Sequence, residues 1–174
     1  AASLMTREAI QIEREELAEL RSHANYVIDT SSLKVAEMNS ELDKLFGSKT
    51  KKASFVLNLM SFGYKHGMPA EADWVIDVRF IPNPYYVSSL KKLTGNNKKV
   101  AQYVMKQDIT KEFVNRFHEI IARLLPCYVK EGKYSLTIAF GCTGGQHRSV
   151  ALANEFYKIF TAEGWRVTLE HREL

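Results

Sequence analysis

The chain has 174 residues, of which 45% are hydrophobic and 25% charged, a composition typical of a folded globular protein rather than a disordered or fibrous one. Its net charge of +4 is uneven, because residues 1–52 carry 8 Lys and Arg against 9 Asp and Glu, whereas residues 53–174 carry 16 against 11. Two cysteines are too few for a disulfide framework, and with no visible signal peptide and no apolar run of about 20 residues, the sequence predicts a cytoplasmic protein.

The first 52 residues predict two helices with a short strand between them. Apolar residues recur at helical spacing in 5–22, residues 26–30 read as a strand, and Ser31 or Ser32 can cap a helix that runs to about Phe46. These elements cannot close a hydrophobic core alone. Residues 1–52 are therefore predicted to be the end of a larger domain, followed by a polar linker at 47–52.

Residues 53–174 alternate between strand and helix patterns. Strands are predicted at 55–60, 74–80, 134–140 and 165–169. Helices are predicted at 97–106, 110–125 and 150–160, the second ending before Pro126. This alternation predicts an α/β domain with a mostly parallel, Rossmann-like sheet and helices on both faces. The loops that follow the first three strands should then meet at one edge of the sheet, where such folds bind ligands.

A glycine-rich loop at 141–149, Gly-Cys-Thr-Gly-Gly-Gln-His-Arg-Ser, lies between a predicted strand and a predicted helix. Backbone N–H groups of such a loop, the helix N-terminus and an arginine together favour phosphate binding. The residues expected to bind the phosphate are Cys142, Thr143, Gly144, Gly145, His147, Arg148 and Ser149, with Lys65, His66 and Asn83 from the neighbouring loops.

The same loop also fits the Cys-x5-Arg pattern of cysteine-based phosphatases. In that alternative Cys142 is the nucleophile, Arg148 holds the phosphate and Asp108 is the general acid. Gly141 stands where those phosphatases usually carry histidine, and Cys142 could equally be a small residue that packs at a strand end. No second pair of ligands at zinc spacing exists, so no metal is expected.

A lysine-rich stretch at 91–99 offers a further alternative. With Tyr85 and Tyr86 nearby, its side chains could contact the phosphates and bases of RNA, although a solvated surface loop explains them equally well.

Three motifs resemble the RapZ (YvcJ) family of bacterial proteins: Ser-Phe-Gly-Tyr-Lys-His-Gly at 61–67, Asp-Val-Arg-Phe-Ile-Pro-Asn-Pro at 77–84, and the loop at 141–150. Residues 27–31 also look like the end of that family's first domain. The resemblance implies an N-terminal domain of P-loop kinase type, here represented by 1–52, and a C-terminal sensory or binding domain at 53–174.

The resemblance further implies that full-length members bind and weakly hydrolyse ATP or GTP with Mg²⁺. This chain lacks the G-x4-G-K-[ST] motif, so no cofactor is expected in it. For the C-terminal domain the resemblance implies a phosphorylated amino sugar, such as glucosamine 6-phosphate, or a UDP-amino sugar as ligand.

The partners that the resemblance implies are a small regulatory RNA or a regulatory protein, and further copies of the chain. Lys65, His66 and Arg148 are then the candidates for RNA contact. The chain ends without the basic tail of the family's RNA-adaptor branch and has Tyr85 where that branch has histidine. Both departures favour the sensing role of the Gram-positive branch.

Overall fold

The computed structural model describes residues 6–46 and 55–174. The chain divides into two compact units, 1–46 and 47–174. The predicted linker at 47–52, and with it the predicted domain boundary, lies outside the described residues. No helix among the described residues is long and apolar enough to cross a membrane.

The first unit contains three helices, α1 (Thr6–Glu16), α2 (Ala18–His23) and α3 (Val35–Phe46). In place of the single helix predicted over 5–22, the chain forms two, which are separated by a turn at Leu17. No side chain of this unit whose burial is described is buried. The described part of the unit therefore has no hydrophobic core of its own.

The segment between α2 and α3 differs from the prediction. Residues 26–30 are irregular and do not form the predicted strand, since the described part of the unit contains no strand with which they could pair. The N–H of Lys34 donates to the Glu37 carboxylate at 2.8 Å, which satisfies one donor at the start of α3. The helix therefore begins after the serines that were expected to cap it.

The second unit is built on a four-stranded sheet. Its strands are β1 (Val56–Gly63), β2 (Trp74–Asp77), β3 (Ser135–Cys142) and β4 (Arg166–His171), in the order β2-β3-β1-β4. Every pair of neighbouring strands is parallel. The predicted α/β fold with a parallel sheet is thus confirmed.

In residues 55–174, three α-helices accompany the sheet: α4 (Lys98–Met105), α5 (Asp108–Glu131) and α6 (Arg148–Ala162). The prediction that α5 ends before Pro126 is wrong, because this proline lies inside the helix. Proline removes one backbone donor, but Ile121 and Leu125 on the same helix are fully buried, and their burial outweighs that loss. The helix ends instead at Gly132, whose φ of 92° places it in the left-handed conformation.

The core lies between these helices and one face of the sheet, where the rings of Phe140 (β3) and Phe156 (α6) stack at 5.1 Å. On the other face a small cluster centred on Met60 and Phe62 is covered by the 64–73 connection. In the described residues 55–174, the α-helices thus cover one face rather than the predicted two. The connections β2 to β3 and β3 to β4 run in the same direction across the sheet, so right-handed crossovers put their helices on the same side.

Candidate functional site

The parallel register brings three loops together at the carboxyl edge of the sheet. The last residue of β1 lies opposite the last residue of β3, and β2 ends beside them. Hydrogen bonds join the loops: the N–H of Lys65 donates to the Thr143 carbonyl at 3.1 Å, and that of Val78 donates to the Gly141 carbonyl at 2.9 Å. The loops after β1, β2 and β3 therefore lie side by side, as a parallel sheet predicts.

The loop between β3 and α6 contains two adjacent glycines, Gly144 and Gly145, whose surroundings differ. Gly145 has a φ of 71°, and a Cβ at this position would meet the Glu173 carboxylate and approach the Gly63 nitrogen to 2.7 Å. Only glycine fits there without strain. Around Gly144, by contrast, nothing lies within 4 Å of the position that a Cβ would occupy. The loop is tightly packed at one glycine and open at the other.

A cavity of about 330 Å³ opens in front of this loop, a volume at the lower end of the range of small-ligand sites. Six of the residues predicted for the site line it. The lining residues are Asn83, Tyr85, Tyr86, Cys142, Thr143, Gly144, Gln146, His147 and Arg148.

Arg148, the first residue of α6, is buried and fixed from several sides. Its Nη1 donates to the carbonyls of Arg79 at 3.0 Å and Ile81 at 2.9 Å, and its Nη2 donates to Thr143 Oγ1 at 3.3 Å. Its Nε is buried and has no hydrogen-bond partner. The guanidinium is thus held in place by the chain after β2, while one of its donors remains buried and unpaired.

Cys142 ends β3 and is 3% exposed. Its Sγ lies 3.1 Å from the Ser149 hydroxyl. Burial alone would raise the pKa of the Cys142 thiol, but hydrogen bonds from the Ser149 side chain and from the backbone N–H groups of Ser149, His147 and Gly145 outweigh it, and the pKa is lowered. The loop therefore stabilises negative charge at the sulfur.

His147 lies at the N-terminus of α6, but its side chain does not cap the helix. Burial lowers the pKa of His147, and the backbone carbonyls of Leu93 and Lys91 oppose that shift only in part. Its Nε2 is buried without a hydrogen-bond partner. The neutral imidazole is therefore the favoured form of His147.

Not all of the predicted residues line the cavity. Lys65 and His66 lie in a short 3₁₀ helix, Tyr64–His66, with exposed side chains, and they are not among the lining residues. Gly145 and Ser149 are buried but do not line it either. That Lys65 and His66 bind the phosphate stays a prediction.

Asp108, the general acid of the phosphatase alternative, is the first residue of α5. Its side chain is 98% exposed and pairs with Lys111 at 2.9 Å. It is not among the residues that line the cavity. The structure does not bring this carboxylate to the cavity.

Tyr85, Tyr86 and Gln146 line the cavity but were absent from the predicted phosphate site. The two tyrosines follow Pro84 in a short 3₁₀ helix, which the Asn83 side chain caps by accepting from the Tyr85 N–H at 3.2 Å. The signal for them was the stiff Pro-Asn-Pro turn after β2, which holds the next residues near the edge of the sheet. From the sequence, Tyr85 and Tyr86 are predicted only as possible contacts to RNA.

Comparison with known proteins gives matches over both parts of the chain. Residues 55–174 match the RapZ C-terminal domain, and residues 1–50 match the RapZ-like N-terminal domain. Among curated relatives, a nucleotide-binding protein of Caldanaerobacter subterraneus is 47% identical over 167 residues, which cover 96% of this chain and 59% of the relative. A nucleotide-binding protein of Alkaliphilus oremlandii is 46% identical over 166 residues, 95% of this chain and 57% of the relative. The chain thus spans little more than half the length of these relatives.

Proposed function

The chain belongs to the RapZ family, and from this membership we propose that residues 55–174 bind a phosphorylated amino sugar, or the phosphate of a UDP-amino sugar, at the 142–149 loop. One observation carries the proposal: Arg148 is 4% exposed and lines the cavity, and the buried Nε of its guanidinium has no hydrogen-bond partner. A buried donor without an acceptor costs about 1–3 kcal/mol. A phosphate oxygen in the cavity would remove that cost.

The surroundings of Arg148 support an anion. Its Nη1 is already occupied by the Arg79 and Ile81 carbonyls, so the guanidinium is oriented before any ligand arrives. Nη2 donates to Thr143 Oγ1 at 3.3 Å and Nε has no partner, so the guanidinium keeps donor capacity for a phosphate oxygen. The N-terminus of α6, a helix of 15 residues, begins at the same residue and favours negative charge.

The test is a phosphorus NMR titration of glucosamine 6-phosphate with the chain and with the Gly144→Val variant. Gly144 lines the cavity and has free space where a side chain would project, so valine should obstruct the cavity while the fold persists. We expect the ligand signal to shift or broaden with the unmodified chain. With Gly144→Val the effect should fall by about tenfold or more, since the steric block removes contacts made only in the cavity.

Two charge variants refine this test. Arg148→Ala should abolish binding, whereas Arg123→Ala removes an equal charge from an exposed position outside the cavity and should leave binding unchanged. Equal binding by the unmodified chain, Gly144→Val and Arg148→Ala would contradict the proposal.

A cysteine-based phosphatase is the second candidate, favoured by the contact between Cys142 and Ser149 and by the lowered pKa of the Cys142 thiol. Among the described residues, however, no Asp or Glu lines the cavity. A leaving group would therefore lack the carboxylic acid that usually protonates it. In the same NMR samples, growth of an inorganic phosphate signal that Cys142→Ser abolishes would favour the enzyme over the binding domain.

For the whole protein, which we take to be cytoplasmic, we propose binding of ATP or GTP with Mg²⁺. The support is that the curated relatives are named nucleotide-binding proteins and that residues 1–50 match the RapZ-like N-terminal domain.

The exposed side chains of Lys65 and His66 are suited to contact a small RNA. Such binding should weaken steeply with salt, and Lys65→Glu should weaken it further.

A further inference from the structure

The two cysteines of the chain lie in opposite surroundings. Cys127 is exposed on α5, where its Sγ donates to the Arg123 carbonyl at 3.5 Å. Cys142 is 3% exposed and forms part of the cavity wall at the end of β3. Access alone would make Cys127 the more reactive thiol.

Hydrogen-bond donors surround the sulfur of Cys142. The Ser149 hydroxyl lies 3.1 Å away, and the backbone N–H groups of Gly145, His147 and Ser149 also donate to it. These donors overcome the effect of burial and lower the pKa of the thiol. The thiolate is the nucleophilic form of cysteine, so the loop favours reaction at Cys142 rather than at Cys127.

A second feature of the same cavity points to an anionic oxygen as its ligand. Arg148 is only 4% exposed and lines the same cavity. Its Nε has no hydrogen-bond partner. A cationic donor in this condition is stabilised by an anionic oxygen within reach.

We propose that Cys142 is a modification site, at which hydrogen peroxide oxidises the thiolate to a sulfenic acid inside the cavity. The sulfur attacks one peroxide oxygen, so that an S–O bond forms and the O–O bond breaks. Hydroxide leaves and takes up a proton from the solvent to become water. The sulfur loses the two electrons that reduce the peroxide. Hydrogen peroxide is little larger than water and fits a cavity of about 330 Å³.

The new oxygen would take up space in the cavity that Arg148 also lines. The following consequence rests on the proposed function. A phosphate in the cavity and an oxidised Cys142 exclude each other. Bound phosphate then protects the thiol, and oxidation weakens phosphate binding.

The test treats the 174-residue chain with hydrogen peroxide at about pH 6.5, below the usual thiol pKa. Catalase then removes the peroxide, and dimedone is added as the chain is unfolded in urea, so that it reaches the sulfenic acid of either cysteine. Mass spectrometry of the two cysteine peptides gives both rates of oxidation from one time course. We expect Cys142 to be trapped about tenfold faster than Cys127, because its thiolate fraction is larger. A bulky maleimide should show the reverse order, because it reaches only the exposed thiol.

Two variants test whether hydrogen bonds to the Cys142 sulfur, rather than access of peroxide to the thiol, set the rate of oxidation. Ser149→Ala removes one donor to the sulfur and should slow oxidation of Cys142 several-fold without changing Cys127. Cys127→Ser should leave the rate at Cys142 unchanged. The proposal is overturned if, in the folded chain, Cys142 is oxidised no faster than Cys127.

Inorganic phosphate distinguishes this inference from the proposed function. If phosphate slows oxidation of Cys142 and not of Cys127, both are supported. If Cys142 is oxidised first but phosphate has no effect, the modification site stands and the phosphate site does not.

Discussion

At the scale of single residues, Gly145 is the position in the 142–149 loop with the least space for a side chain. Its φ of 71° and the proximity of Glu173 and Gly63 leave no space for a side chain. We expect Gly145→Ala to lower the free energy of unfolding by about 2–4 kcal/mol, because a strained backbone and a steric overlap act together. Urea denaturation of the variant measures this loss.

Gly164 provides the matched control for that substitution. Its φ of 79° is similarly left-handed, but nothing lies within 4 Å of its Cβ position. Gly164→Ala should therefore cost only about 1 kcal/mol, the backbone part of the effect. Equal losses for the two variants would mean that crowding at Gly145 contributes nothing.

The sequence allowed much of the site to be predicted at this scale, but not all of it. The Cys-x5-Arg-Ser spacing between a strand and a helix was enough to predict Cys142 and Arg148 at one cavity. The partners of Arg148 Nη1 could not be predicted, because they are backbone carbonyls of Arg79 and Ile81, almost 70 residues away. Backbone carbonyls carry no residue-specific signal in a sequence.

At the scale of elements, α5 shows how burial overrides a local breaker. Pro126 lies within the helix on an exposed position, where it withholds a backbone donor. We expect Pro126→Ala to raise the free energy of unfolding by about 1–3 kcal/mol, since alanine restores that donor and has a far better helix propensity. The midpoint of urea denaturation measures the change.

Gly132, at the end of the same helix, is the comparison. Its φ of 92° suits glycine alone, so Gly132→Ala should lower the free energy of unfolding by about 1 kcal/mol. A destabilised Pro126→Ala would show that the proline is required by the packing of α5.

Element boundaries followed the apolar pattern only approximately. Alternation and β-branched residues correctly predicted β1 and β3, but both strands extend further, to Gly63 and Cys142. Their last residues are small or polar and gain their extended conformation from pairing with each other. Pairing between segments distant in sequence is the part that local patterns cannot supply.

At the scale of the whole molecule, burial is concentrated in the second unit. Every side chain described as buried lies in residues 55–174, and so do both tryptophans, Trp74 and Trp165. We therefore expect residues 55–174, expressed alone, to unfold cooperatively with a tryptophan-fluorescence midpoint within a few degrees of that of the full chain. A broad or absent transition would show that residues 1–46 contribute to the core.

Arg148 donates to the carbonyls of Arg79 and Ile81 and also lines the cavity, so a ligand bound there as we propose would be thermodynamically linked to the segment after β2. A macromolecule that engages Arg79 or Tyr85 and shifts these carbonyls must change ligand affinity by some factor, and the ligand must change that macromolecule's affinity by the same factor. One buried side chain would thus couple the proposed ligand to a surface that other molecules can touch.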